Sequence, residues 1–140
     1  CEGLVLVHRH FMKPRNVSSN IMKNVIVFGA STNPERYAYK ASVEFKAKGY
    51  NVFPVGRKRG LIQDMEILEE PPMDRHIDVV SIYLGKDNQQ PYYDYLLKIK
   101  PDHVIFNPGT ENPELEQMLT EKGIRNEEAC SLVLMRIGEL

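Results

Sequence analysis

Val25-Ile26-Val27-Phe28-Gly29-Ala30-Ser31-Thr32-Asn33-Pro34-Glu35-Arg36 decides how this chain is read. A β-branched and aromatic run meets a single glycine and small polar residues, and a charged helical pattern follows, so a buried strand stops sharply and a helix begins. In an α/β protein such a junction is a seat for phosphate. N–H groups at a helix start lack intrahelical partners and carry the positive end of the helix dipole. Gly29 permits a tight turn, Ala30 keeps the approach open, and Ser31 and Thr32 add hydroxyl donors. Arg36 and Lys40, four residues apart, bring two cations to one helical face. The same residues also fit a plainer role, in which Ser31 and Thr32 cap the helix and the two basic side chains are solvated. One glycine is not the G-x-G-x-x-G fingerprint, so the turn alone does not specify a dinucleotide.

Downstream, Ala38, Ala41 and Phe45 share one face of a predicted helix whose charged residues lie largely elsewhere, and Gly49 supplies its left-handed stop. Asn51–Val55 reads as a second strand, completing a right-handed βαβ unit. Gly56-Arg57-Lys58-Arg59-Gly60 follows, where a dinucleotide enzyme would keep the acidic residue that bonds the adenosine ribose. A basic loop disfavours plain NAD and suits a ligand with an extra ribose phosphate, either NADP or coenzyme A. A solvated basic turn is the alternative.

Met65–Leu68 reads as a short edge strand and Glu69-Glu70-Pro71-Pro72 as a loop that cannot continue it. Val79–Leu84 is a near-continuous apolar run, as expected of a parallel strand covered on both faces, and it ends at Gly85. Asn88 is expected to cap a helix carrying Tyr92, Tyr95, Leu96 and Ile99 on one face, with Pro91 in its first turn and Pro101 at its end. His103–Phe106 is a further strand. Asn107-Pro108-Gly109-Thr110 turns out of it toward Asn112, which caps a helix with Pro113 first, Leu115, Met118 and Leu119 inward, and Gly123 as its stop. A weak strand and a short helix over Leu132–Ile137 close the chain. This alternation implies a three-layer α/β/α, Rossmann-like domain with a mostly parallel sheet of five or six strands. Ligands of such sheets bind outside the carboxyl ends of the strands, which directs attention to the loops Gly29–Arg36, Gly56–Gly60, Leu84–Asp87 and Asn107–Thr110.

Composition narrows the classes. The 140 residues suit one domain, and 18 Lys+Arg against 19 Asp+Glu leave a net charge of −1. That balance offers no footprint for nucleic acid or an anionic membrane surface. No apolar run reaches the roughly 18 residues of a spanning helix. Two cysteines, Cys1 and Cys130, make no disulfide framework and fit a reducing cytoplasm. Residues 1–21 read as an appendage, whether tag, linker or upstream segment, with the domain over 22–140. His8-x-His10 within that appendage lacks a third metal ligand nearby.

Taken together, these fragments resemble the small CoA-binding proteins with a Rossmann-like domain, related to the CoA-binding domain of the succinyl-CoA synthetase α subunit. The resemblance covers nearly all of residues 24 to 137. It rests on the V-I-V-F-G-A-S run with Pro34, Arg36, Tyr39 and Lys40, which is similar to the family's strand, turn and R-x-x-Y-[RK] sequence. Asn51–Val55, Asn107-Pro108-Gly109-Thr110-Glu111-Asn112 and Glu128-Ala129-Cys130 add to it in the family's order and spacing. The resemblance implies a strand order near 3-2-1-4-5 and CoA, or an acyl-CoA, across the carboxyl edge of the sheet. By position, Gly29, Ala30, Ser31 and Thr32 would cradle the diphosphate, with Arg36, Tyr39 and Lys40 beside it. Gly56, Arg57 and Lys58 would meet the adenosine end, Leu84 and Gly85 the adenine, and Asn107, Pro108 and Gly109 the pantetheine arm. The second loop departs from the pattern, since many relatives carry Asn-Pro or His-Pro where this chain has Gly56-Arg57-Lys58-Arg59.

No catalytic residue stands out. The synthetase relatives place their phosphorylated histidine outside this domain, and His76 and His103 read as ordinary structural histidines. Cys130 fits either a small core residue or a thiol activated by a helix start, and the neighbouring Glu127 and Glu128 point to opposite faces of a strand. The expected function is a CoA-binding module without demonstrated catalysis. The alternatives are an NADP-binding protein or small oxidoreductase, and an interaction module with a vestigial nucleotide site. Tyr92 and Tyr93 leave room for a homodimer face, and a partner enzyme would also be consistent.

Overall fold

The computed structural model describes residues 22–140; the expected appendage and its His8 and His10 lie outside the described residues. Five strands form one parallel sheet: β1 (Asn24–Phe28), β2 (Asn51–Val55), β5 (Val79–Ile82), β6 (His103–Phe106) and β7 (Arg125–Glu128), in the order β2-β1-β5-β6-β7. A small antiparallel hairpin, β3 (Leu61–Ile62) with β4 (Met65–Glu66), stands apart. Beyond it, Leu68 lies parallel to Val55, its N–H donating to Pro54 O and its carbonyl accepting from Gly56 N–H. With Leu68 in the third place, the order agrees with the expected 3-2-1-4-5, although only one residue of Met65–Leu68 reaches the main sheet.

Alternation along the strands divides the core in two. Ile26 and Phe28 face one layer with Val80, Ile82, Val104 and Phe106, covered by α2 (Tyr93–Ile99) and α3 (Pro113–Glu121). Val25 and Val27 face the other with Val79 and Ile105, covered by α1 (Tyr37–Ala47) and α4 (Ser131–Arg136). Because side chains point alternately to opposite faces, a continuous apolar run is what a strand buried on both sides requires. The small residues Ala38, Ala41 and Ser42 are the buried face of α1 along with Phe45, and let it lie close to the sheet. Among the described residues, no helix is long and apolar enough to cross a membrane.

Two helix starts differ from expectation. α1 begins only at Tyr37, with Arg36 as an N-cap that makes no side-chain bond. The residues before it fold into local turns: Ser31 Oγ accepts from Asn33 N–H at 3.0 Å, and Asn33 Oδ1 accepts from Glu35 N–H at 2.9 Å. Short polar side chains that bond nearby backbone compete with the helix in this way, so Ser31 and Thr32 do not cap α1. Likewise Asn88 does not cap α2. Residues 86–88 and 90–92 form two short 3₁₀ turns, and α2 starts at Tyr93. Between the turns, the buried Gln89 side chain donates to Leu84 O and Thr110 O and accepts from Asn112 Nδ2, which ties the segment down. Asn112 caps α3 as expected, accepting from Leu115 N–H at 3.2 Å with Pro113 in the first turn.

Candidate functional site

The loops after β1, β2 and β5 converge at the carboxyl edge of the sheet around a cleft of about 470 Å³. Its floor is Gly29, Ala30, Ser31 and Thr32. One wall is Val55, Gly56, Arg57 and Lys58, and the other is Leu84, Asp87, Asn88, Pro91 and Tyr92. Two glycines make the convergence physically feasible. Gly29 has φ +88°, and a Cβ there would stand 2.9 Å from both the carbonyl carbon and oxygen of Tyr83. A Cβ on Gly56 would lie 2.5 Å from Ala30 O. Backbone therefore packs on backbone at both points, and any side chain would force the loops apart.

Hydrogen bonding sorts the N–H groups of the first loop. Those of Gly29 and Ala30 both donate to Val55 O at 2.9 Å, pinning the loop to β2. Those of Ser31 and Thr32 have no acceptor among the described residues. The expected phosphate cradle is thereby narrowed to two donors, with Gly29 and Ala30 shaping the turn. Facing them, Arg57 and Lys58 are exposed, and no carboxylate among the described residues pairs with either. Arg57 Nη2 donates to Asn88 Oδ1 at 3.3 Å, a weak bridge between the walls. Arg59 points instead toward Glu69, 3.7 Å away.

The remaining expected residues are dispersed. Arg36 is exposed at the start of α1 and lines no part of the cleft. Tyr39 and Lys40 line a separate cleft of about 370 Å³ between α1, the hairpin turn and α4, together with Gln63 and Arg136. Gly85 lies just beyond the wall, its carbonyl accepting from Asn88 N–H. Pro108 and Gly109 are exposed, and the Gly109 N–H is held by the Glu111 carboxylate at 3.1 Å. Asn107 is fully buried. Its amide donates to Ser81 Oγ at 3.0 Å and Ile82 O at 2.9 Å, and its Oδ1 accepts from Ser131 N–H at 2.7 Å. That side chain joins the ends of β5 and β6 to the start of α4 beneath the loop. Next to it, Tyr83 has a buried hydroxyl pushed up to about 12 by burial; the Ser81 and Ser131 hydroxyls nearby only partly offset this and form no hydrogen bond with it.

Sequence reasoning missed Val55, Asn88, Pro91 and Tyr92 as wall residues. Helical periodicity assigned Asn88 to a cap and Tyr92 to a core face, whereas the 3₁₀ turns bring both to the cleft; Pro91 was the signal that a regular helix had not yet begun. Tyr92 is half-buried against Phe28, with ring centroids 4.6 Å apart, and the half-buried Tyr93 holds Glu114 and Asn112 through its hydroxyl. Cys130 is the half-buried N-cap of the six-residue α4.

N–H donors without an acceptor and cations without a carboxylate, among the described residues, give this cleft at the carboxyl edge of a parallel sheet the chemistry to attract an anion. The profile of the CoA binding domain matches residues 23–136. The chain belongs to the CoA-binding domain family. The crystal structure of an uncharacterised protein is 42% identical with TM-score 0.81, the match covering 86% of this chain and all of that one. A hypothetical protein from Pyrococcus horikoshii OT3 is 21% identical with TM-score 0.70, covering 90% of this chain and 98% of its own. The acetyl-coenzyme A synthetase 1 of Ca. Korarchaeum cryptofilum, determined with phosphate and ADP, shares the fold at 19% identity and TM-score 0.59. Its overlap covers 76% of this chain and 25% of the synthetase. No curated protein matches the chain. For a CoA-binding domain, the cleft is placed where the fold leads a ligand to be sought.

Proposed function

We propose that this chain is a CoA-binding module that holds CoA or an acyl-CoA in the carboxyl-edge cleft and carries out no chemistry of its own. One observation carries the reading: in a CoA-binding domain, the N–H groups of Ser31 and Thr32, without an acceptor, and the cations Arg57 and Lys58, without a carboxylate among the described residues, line one cleft. The diphosphate is assigned to the two N–H groups and the 3′-phosphate of the adenosine to Arg57 and Lys58. Leu84 and Tyr92 offer apolar wall to the adenine, and the pantetheine arm leaves toward Pro108 and Gly109. Arg36 and Lys40 stand outside the cleft and contribute only long-range attraction. No catalytic role is assigned to Cys130, His76 or His103.

NADP is the second reading, since a 2′-phosphate would meet the same two cations. Calorimetric titration with CoA, dephospho-CoA, NADP and NAD decides between them. CoA should bind most tightly and dephospho-CoA about tenfold more weakly, the loss of one charge-assisted contact. Preference for NADP would replace the reading with the alternative, and binding of none would leave an interaction module.

A further inference from the structure

The opposite, amino-terminal edge of the sheet carries a side-chain cluster that CoA binding does not use. His76 lies in the loop leading to β5, Asp78 immediately precedes β5, and Asp102 immediately precedes β6. One ring nitrogen, His76 Nε2, faces both carboxylates, 3.0 Å from Asp102 Oδ2 and 3.7 Å from Asp78 Oδ1. The three donor atoms all lie within 4.8 Å of one another. Atoms that share a divalent ion at about 2.0–2.2 Å stand roughly 3–3.5 Å apart, so only a slight closing separates this arrangement from a three-ligand face.

The scaffold holds it in that form. Asp78 N–H donates to Asn24 O at 2.9 Å and Asp102 N–H to Ile77 O at 3.1 Å, so both aspartates sit on backbone continuous with the sheet. Asp78 Oδ2 is occupied by Asn24 N–H at 2.7 Å, which leaves Oδ1 toward the imidazole. Asn24 Nδ2 also holds His76 O at 2.7 Å, fixing the loop. Supporting contacts of this kind orient first ligands in metal sites. The exposed His76 and Asp102 leave the remaining coordination positions to water, and two carboxylates with a neutral imidazole match a double positive charge. One nitrogen and two oxygens select a borderline first-row ion rather than calcium or magnesium, which prefer oxygen alone.

We propose that His76, Asp78 and Asp102 form a surface site for a divalent transition-metal ion, with zinc as the probe, that clamps the amino ends of β1, β5 and β6. Titration of the full chain with zinc chloride in a non-coordinating buffer should show a site that is lost in His76→Ala and in Asp102→Asn. It should persist in His8→Ala/His10→Ala, which removes the other histidine pair of the chain. Asn24→Ala should weaken zinc about tenfold without removing a ligand. Zinc should also raise the melting temperature of the parent chain and not that of His76→Ala, since a ligand bound only to the native state stabilises it. Because both variant side chains are exposed, their metal-free melting curves should stay near the parent's, which separates a lost site from a lost fold. Zinc uptake that survives His76→Ala, or that vanishes with His8→Ala/His10→Ala, overturns the proposal. So does an imidazole nitrogen spectrum in which zinc leaves the His76 resonance unmoved.

Discussion

The two edges of the same parallel sheet handle polar groups in opposite ways. At the amino edge, polar groups find protein partners: the Asn51 amide donates to Asn24 Oδ1, the Asn24 backbone N–H to Asp78 and its side-chain amide to His76 O, and the His76 ring meets Asp102. His103, with burial lowering its pKa and Glu127 opposing that, lies 2.6 Å from the Glu127 carboxylate. At the carboxyl edge the same strands end in loops whose glycines bring backbone against backbone, while two N–H donors without an acceptor and two cations without a carboxylate, among the described residues, face a cleft. Strand direction explains part of this, because the crossover loops that leave the carboxyl ends feed helices and splay apart. The lesson is that polar groups at the first edge are held largely by protein partners, whereas the second edge leaves donors and cations turned toward an open cleft.

The largest effect should come from filling the backbone contact under the cleft. Gly29→Val places a branched side chain at φ +88° against the Tyr83 carbonyl. We expect a loss of about 3 kcal/mol in stability by denaturant unfolding, together with loss of CoA binding. A variant that unfolds normally and binds CoA like the parent would show that the close approach of the loops is dispensable.

Asn107 sharpens the comparison from within the carboxyl edge, since it is buried and its side chain is bonded to protein groups, as those of the amino edge are. Asn107→Ala removes the acceptor of Ser131 N–H and both amide donations. Stability should fall by about 2 kcal/mol, while CoA affinity measured on the folded protein changes less than in a cation variant. An intact melting curve with abolished binding would make Asn107 a ligand contact instead.

Arg57→Ala and Lys58→Ala act on the cleft alone. Each should weaken CoA about tenfold and dephospho-CoA much less, with melting of the free protein nearly unchanged, because among the described residues neither cation pairs with a carboxylate. Raised ionic strength should weaken the parent more than either variant. Equal losses for both ligands would move the 3′-phosphate elsewhere.

Much of this contrast was legible in the residues. The alternating faces of Val25–Phe28, the glycine stops at Gly49 and Gly123, and the Asn112-Pro113 cap follow from local chemistry that tertiary contacts do not override. The basic loop after β2 was legible for the same reason, since strand end and composition suffice to place it. What could not be read depended on where polar side chains turn. Ser31 and Asn33 bond their own loop rather than α1, and Gln89 is buried by partners from two distant segments, which breaks the helical period that placed Asn88 and Tyr92. Asn107 in an Asn-Pro-Gly loop looks the same in sequence whether its amide faces a ligand or the core. Lys40 illustrates a further limit: its expected place on one helical face with Arg36 did not bring it to the cleft, because α1 starts only at Tyr37, several residues after the Gly29–Thr32 turn.

The smallest predicted effect tests whether the edges are independent. Asn24→Ala removes a half-buried amide that donates to His76 O and accepts from Asn51, leaving the backbone ladder of β1 in place. Side-chain bonds that water can largely replace contribute little, so we expect a loss of roughly 0.5–1 kcal/mol in stability. CoA affinity should be unchanged, since Asn24 and the cleft lie at opposite ends of β1 and the intervening Val25, Ile26 and Val27 are fully buried in a rigid ladder. A drop in CoA affinity comparable to that of Arg57→Ala would mean that the amino edge tunes the cleft through the strand. The two regions would then be one coupled device, and the separation argued from their hydrogen bonds would fail.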